Sequence, residues 1–258
     1  KSETSLLDDI IYCINQDPAT GDLWIGSRSG LSILHNKDLL NPDARFENYS
    51  PGQPGRDLPF NEINSIIPTR DRYMWLSSGG GGVFCTDTRS REIEGNGLNS
   101  IRKEYGTSSV RALSHSSDGI LRLSIAGYGL FEYDLEKDRY TKFQTKYIQD
   151  FIEVGEGQVL AGSETGIMVC RKGQVPRKIA VSGFTDPFIT RFHRDIDGQL
   201  WVGTRENFGI LTEDRRYINI NGMLKNPADS IPPCLICDLT SEKSGSIWAA
   251  TSDNGIFH

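Results

Sequence analysis

Short apolar runs recur along the chain at a nearly constant distance, and polar turns fence each of them. Six segments fit one pattern with decreasing quality: a turn, a short apolar run with Trp, a Gly-Ser or Gly-Thr step, a second glycine and another apolar run. They are GDLWIGSRSGLSIL around Trp24, RYMWLSSGGGGVFC around Trp75, GILRLSIAGYGLFEY with Arg122 in the Trp place, GQVLAGSETGIMVC with Leu160 there, GQLWVGTRENFGIL around Trp201 and GSIWAATSDNGIFH around Trp248. The intervals are 51, 47, 38, 41 and 47 residues. A period near 45 is that of four-stranded propeller blades.

A second feature repeats in step with the first. Nine residues before each reference position, or ten in the first copy, ends an apolar pair spaced by three: Ile11/Ile14, Ile63/Ile66, Val110/Leu113, Ile148/Phe151, Ile189/Phe192 and Ile236/Leu239. One unit therefore reads as a first strand (INSI, VRAL, ITRF), a polar turn (DPATGD, SSDG, DIDG), a second strand (LWIGS, LWVGT), a tight turn and a third strand (GLSIL, GLFEY, GIMVC, GIFH). The segments ARFENYS, RYTKFQT, PRKIAV and RYININ are candidates for the fourth, outer strand, which sits half-exposed at a sheet edge. No segment holds a helical period over 11 or more residues. The expected fold is all-β: a β-propeller of four-stranded blades, with residues 1–258 forming one such domain or part of one. The repeats fall near 8–50, 60–105, 107–144, 146–182, 187–222 and 233–258.

The Trp, or its Leu substitute, is expected between neighbouring blades, where a large flat side chain fixes sheet spacing. Arg122 breaks that pattern, and its stem is expected to cover apolar surface while its head reaches the edge. Residues 35–62 and 86–109 are rich in Gly, Pro, Asn and charge, and read as outer strands with extended loops.

Composition removes several function classes. The net charge of −6 argues against a general nucleic-acid binder. No apolar run of about 18 residues is present, and the N-terminal KSETSLLDDIIYCINQD has no apolar signal core. Five cysteines make no disulfide framework. Cys234 and Cys237 form a CLIC motif ahead of a strand, without the helix N-terminus that a redox pair needs, and read as structural. His35, His115, His193 and His258 show no zinc spacing. There is no G-x-S-x-G elbow and no phosphate loop, since SSGGGGVFC leads from strand to strand. A carboxylate pair for glycan cleavage stays open, because acidic residues are plentiful. No catalytic residue, metal or cofactor is assigned.

The recurring L-W-[IV]-G-[ST]-x-x-x-G-[IL], preceded by the apolar pair and an Asp-x-x-Gly turn, resembles the two-component regulator propeller repeat. The resemblance covers residues 8–258, strongest in the first and fifth copies and weakest in the third and fourth. It implies the periplasmic sensor region of a Bacteroides-type hybrid two-component regulator. Such a region senses glycan breakdown products, controls polysaccharide-utilisation genes and belongs to a membrane-anchored, homodimeric histidine kinase. Sensors of this family resemble two propellers followed by a β-sandwich, a membrane helix and a kinase, none of which is in this sequence. The chain stops after the third strand of its last unit, which favours a fragment over a complete six-bladed ring. In a closed ring KSETSLL would have to supply the missing outer strand.

Recognition is expected where the copies differ. In a propeller the loops from strand two to three and the lead-in to strand one share a face with the central channel. The first-strand residues between the apolar pair are Tyr12/Cys13, Asn64/Ser65, Arg111/Ala112, Gln149/Asp150, Thr190/Arg191 and Cys237/Asp238. The candidate ligand-binding residues are Arg28, Asn64, Arg111, Tyr128, Arg191, Arg205, Asn207, Phe208, Asp253 and Asn254. Arg205, Asn207 and Phe208 offer a charged fork, an amide and a ring, which suits a sugar. Phe60, Asn61, Phe184 and Phe188 stand in the lead-in loops. Convergence of Arg28, Arg111, Arg191 and Arg205 would point to an acidic oligosaccharide. A protein-binding scaffold and a glycan lyase or glycosidase are the alternatives. Neither nucleic acid nor membrane is expected as a direct partner.

Overall fold

The apolar runs form strands, and the polar steps between them turn the chain back on itself. A computed structural model describes residues 5–69, 73–94, 98–106, 109–116, 119–155, 157–242 and 244–258. Six antiparallel sheets follow one another along the chain, each a propeller blade with its strands paired in sequence order. The chain divides into two compact units, Lys1–Ala126 with Phe131–Lys142, and Gly127–Leu130 with Phe143–His258.

The first unit holds three blades. Blade 1 is β1 (Ile11–Gln16), β2 (Leu23–Ser27), β3 (Gly30–Leu34) and β4 (Glu47–Tyr49). Blade 2 is β5 (Ile63–Pro68), β6 (Tyr73–Ser78), β7 (Val83–Asp87) and β8 (Ile93–Glu94), followed by the helix α1 (Asn99–Tyr105). Blade 3 is β9 (Val110–His115), β10 (Ile120–Ile125), β11 (Gly129–Asp134) and β12 (Arg139–Lys142). The second unit holds the others. Blade 4 is β13 (Ile148–Glu153), β14 (Gln158–Ser163), β15 (Gly166–Arg171) and β16 (Arg177–Lys178). Blade 5 is β17 (Ile189–Arg194), β18 (Leu200–Thr204), β19 (Phe208–Leu211) and β20 (Tyr217–Asn219). Blade 6 is β21 (Ile236–Ser241), β22 (Ile247–Thr251) and β23 (Ile256–Phe257). Within each unit the first strands of successive blades lie side by side.

Three of the four repeated tryptophans pack against the next blade, while Trp248 of blade 6 is only partly buried and stacks on His258. Trp24 is buried in a core with Ile63, Ile66 and Met74 of blade 2. Trp75 packs with Val110, Leu113 and Leu121 of blade 3, and Trp201 with Ile236 and Leu239 of blade 6. Leu160 does the same with Ile189 and Phe192 of blade 5. A buried aromatic of this size removes about 150–250 Å² from water, which is roughly 4–6 kcal/mol at most. The Asp-x-x-Gly turn serves the same residue. In blade 5 Asp195 accepts from the backbone N–H groups of Asp197 and Gln199 and from Trp201 Nε1 at 2.7 Å. In blade 1 the inserted residue displaces the acid: Asp17 is taken up by Ala19 N–H and the Thr20 hydroxyl, and the buried Trp24 Nε1 has no partner.

The Gly-[ST] step has two separate causes. A Cβ on Gly162 would lie 2.5 Å from Ile189 Cγ2, and one on Gly203 2.8 Å from Ile236 Cγ2. The next blade's first isoleucine therefore occupies the space a side chain would need. The hydroxyl that follows closes the turn: Ser27, Ser163 and Thr204 donate to the carbonyls of Gly30, Gly166 and Asn207 at 2.8–3.0 Å. The same oxygens accept the N–H of Ser29, Thr165 and Glu206.

Two expectations need correction. The head of Arg122 does not reach the edge; Arg122 Nε donates to Glu132 Oε1 at 2.8 Å, and both side chains are only 7% exposed. The Trp place of blade 3 is thus filled by half of a buried ion pair. Residues 86–109 contain α1 rather than only strand and loop, because Leu98, Ile101 and Tyr105 turn one face onto the Trp75 core. Seven residues are too short to show a helical period. Of the KSETSLL segment, the Ser5 carbonyl accepts from Asn48 and Leu7 N–H donates to Ser32, both of blade 1, and among the described residues no strand pairs outside β23. The rest of the KSETSLL segment, residues 1–4, lies outside the described residues.

Candidate functional site

Every first strand carries a break in register at the same place. The pairing skips one residue between Ile11 and Cys13, Ile63 and Ser65, Val110 and Ala112, Ile148 and Asp150, Ile189 and Arg191, and Ile236 and Asp238. The residues skipped in the register are Tyr12, Asn64, Arg111, Gln149, Thr190 and Cys237. A bulge adds local twist and re-aims the side chains beside it. Six variable residues are thereby set on a common scaffold at the start of each first strand.

In the first unit Asn64 Nδ2 donates to the carbonyl of Val110, tying blade 2 to blade 3. Arg111 is exposed on β9. Arg28 is held by Asp8, with its Nε 3.2 Å from Oδ2. Asp8 also accepts from the Ser29 hydroxyl at 2.5 Å and from Ile10 N–H at 3.0 Å. These bonds, the hydroxyl first, and the guanidinium hold its carboxyl down to about 2. A carboxyl whose folded value lies below its unfolded one stabilises above the unfolded value, and that contribution disappears as pH falls through the folded value. Asp8→Asn should therefore lower thermal stability at neutral pH and flatten its fall between about pH 4 and pH 2. Unfolding midpoints of both proteins across that range test this; parallel curves would contradict it.

The same clasp recurs in blade 5. Asp186 accepts from Phe188 N–H at 2.9 Å and from Arg205 Nε at 2.9 Å. The guanidinium carbon of Arg205 stands 5.1 Å from the centre of the Phe188 ring, a cation–π arrangement. Thr185 donates to Glu206 beside it. In both clasps the acid stands three residues before the first-strand isoleucine, and the arginine four after the tryptophan.

Three charged residues occupy the position after the bulge in the second unit. Asp150 Oδ2 accepts Phe192 N–H of the next blade at 2.8 Å. Burial pushes its carboxyl up, against the pull of Arg191. Arg191 Nε lies 3.7 Å from Asp238 Oδ1, and Arg191 Nη1 donates to the Thr190 carbonyl. Cys237, the exposed bulge residue between them, has its thiol raised by burial, with Arg191 opposing and Asp238 and Asp253 adding. Cys234 is buried, with its thiol also raised. Both are free thiols, and neither is driven toward thiolate. Next to them His193 Nε2 meets Ser241 Oγ at 2.8 Å, and burial lowers its imidazole. Tyr147, just before β13, takes φ +53 and is 56% exposed. No group of three His, Cys, Asp or Glu able to hold a metal occurs among the described residues.

The other predicted residues divide sharply. Tyr128 is exposed in the turn between β10 and β11, and Asp253 and Asn254 are exposed in that between β22 and β23. Asn207 and Phe208 are buried and have no face to offer a ligand. Asn207 Oδ1 accepts the N–H of Phe208, and the Phe208 ring packs 6.0 Å from Trp201 in the blade 5–6 core. The sugar-like trio read in RENF is therefore only Arg205. The acids Asp8 and Asp186 were missed as site members, although their equal offsets in the two strongest repeats were visible in the sequence.

Comparisons with known proteins place this geometry. Residues 183–206 match the family described as two component regulator propeller. No curated protein matches the chain. It is similar in structure to the extracellular domain of a putative hybrid two component system of B. thetaiotaomicron, with 16% identity and a TM-score of 0.79, over 98% of this chain and 34% of that one. The extracellular domain of a putative one component system of the same organism gives 18% identity and a TM-score of 0.72, over 99% and 32%. PorZ, a surface component of the type-IX secretion system of Porphyromonas gingivalis, gives 14% and 0.67, over 100% and 41%. At these identities the likeness is one of fold. The chain spans about a third of the length of the two B. thetaiotaomicron structures.

Proposed function

We propose, from the match of residues 183–206 to the two component regulator propeller family, that the chain is a non-catalytic, extracytoplasmic sensing segment of a two-component regulator whose ligand is an oligosaccharide. One observation carries this reading. The repeated positions are used up by blade packing and turn closure, while the six bulge positions and the turns beside them vary and are mostly polar. Such a division suits recognition by a fixed frame with exchangeable contacts. A ligand that fits one arrangement of the parent sensor better than another shifts it toward that arrangement. In a homodimeric parent kinase the shift would control genes for polysaccharide use.

Titration calorimetry of the chain with short oligosaccharides, with product analysis on the same samples, tests the proposal. The expected result is saturable binding with the sugar recovered unchanged. Released product would make the chain a glycosidase or lyase, and absence of heat across neutral and acidic sugars would contradict the ligand assignment.

A further inference from the structure

We infer that the first-strand rim of blades 4 to 6 selects an uncharged oligosaccharide and rejects an anionic one. This rests on the oligosaccharide reading above and deepens it. The arginines that suggested an acidic ligand are already committed within the unit. Arg205 is clasped by Asp186. Arg191 is 30% exposed and lies beside Asp238, with Asp150 in its field. No guanidinium of this rim brings net positive charge to a ligand.

The balance along the rim is negative. Asp150, Asp238 and Asp253 act on the space around Arg191 and Cys237. Lys146, next to Tyr147, is a further cation at the lead-in to blade 4. Asp238 is 64% exposed, and Asp253 is exposed. A carboxylate offers two oxygens with about four acceptor sites. Vicinal hydroxyls of a neutral sugar can fill them as donors, whereas a uronate or sulfate brings only more acceptors and like charge. Tyr147 and Phe188 hold equivalent places before the first strands of blades 4 and 5; Tyr147 is 56% exposed, and Arg205 stands over the Phe188 ring. A carboxylate placed about 6 Å from one uncompensated acid in a half-wet site loses roughly tenfold in affinity.

The test compares each neutral oligosaccharide that binds with its counterpart oxidised at the primary alcohols to carboxylates. The probes are short oligomers from 1,4-linked galactan, mannan and glucan, whose hexose units keep a free primary alcohol, with oligogalacturonates included. Calorimetry should show the neutral sugar bound and the oxidised form weaker by about tenfold or more. The double variant D238N and D253N, checked for folding by thermal unfolding, should close most of that gap. Equal or tighter binding of an acidic sugar would overturn the inference and leave the sensing role intact. A gap that the double variant leaves unchanged would overturn the assignment to these acids. Silence with every sugar would overturn the oligosaccharide reading itself.

Discussion

Glu132→Ala should destabilise the protein by about 3 kcal/mol, because it removes the carboxylate that balances the buried guanidinium of Arg122. Arg122 stands where four other blades carry Trp and one carries Leu, and both partners of its ion pair are buried. Two charges taken out of water recover little beyond their desolvation cost, so the pair as a whole adds little stability. Its removal as a pair should therefore behave oppositely. The double variant R122L and E132L restores the residue type of blade 4 and is expected to be neutral, or more stable by about 1–4 kcal/mol. Denaturant unfolding of the single and double variants separates the two effects. A double variant as damaged as the single one would show that the pair itself stabilises blade 3.

Gly162→Val should cost about 3 kcal/mol, at the upper end for overpacking. Its Cβ would meet Ile189 Cγ2 at 2.5 Å, Ile189 Cβ at 2.8 Å and Phe192 Cε2 at 2.9 Å. These atoms belong to the apolar pair of the next blade, itself buried, so neither can withdraw. Shortening the neighbour should relieve the strain: Ile189→Ala combined with Gly162→Val should lose less than the sum of the two single losses, since residues in contact couple. Gly222→Ala is the control, having nothing within 4 Å of its added Cβ, and should stay within about 0.5 kcal/mol. Strict additivity, or a mild Gly162→Val, would mean that blade spacing is set elsewhere.

The parts of this fold legible in sequence are those that repetition enforces. Trp24, Trp75, Leu160 and Trp201, the glycines at 26, 162 and 203, and the apolar pairs they meet in blades 2, 3, 5 and 6 answer to the neighbouring blade, so the same demand is met again and again. Outer strands were legible too, since RYTKFQT and RYININ alternate as edges do. What escaped was unique. The helix at Asn99–Tyr105 docks once, onto the Trp75 core, and no second copy announces it. The burial of Phe208 depends on the blade 5–6 core, which local chemistry in RENF does not reveal. Pairing of Arg28 with Asp8 and of Arg205 with Asp186 joins residues about twenty apart, across a blade's whole first hairpin. Loop residues could be recognised as variable, but which of them were already spent on one another could be seen only in the folded chain.

In the proposed sensor the repeated positions build the frame, while the bulges and turns at the starts of the first strands hold the ligand. Hydrogen exchange of the chain with and without saturating oligosaccharide tests it most directly. Slower exchange is predicted at residues 147–150, 189–191 and 236–238, with the turns at 195–199 and 212–215 unchanged. Protection centred on those two turns instead, or no protection anywhere, would contradict it.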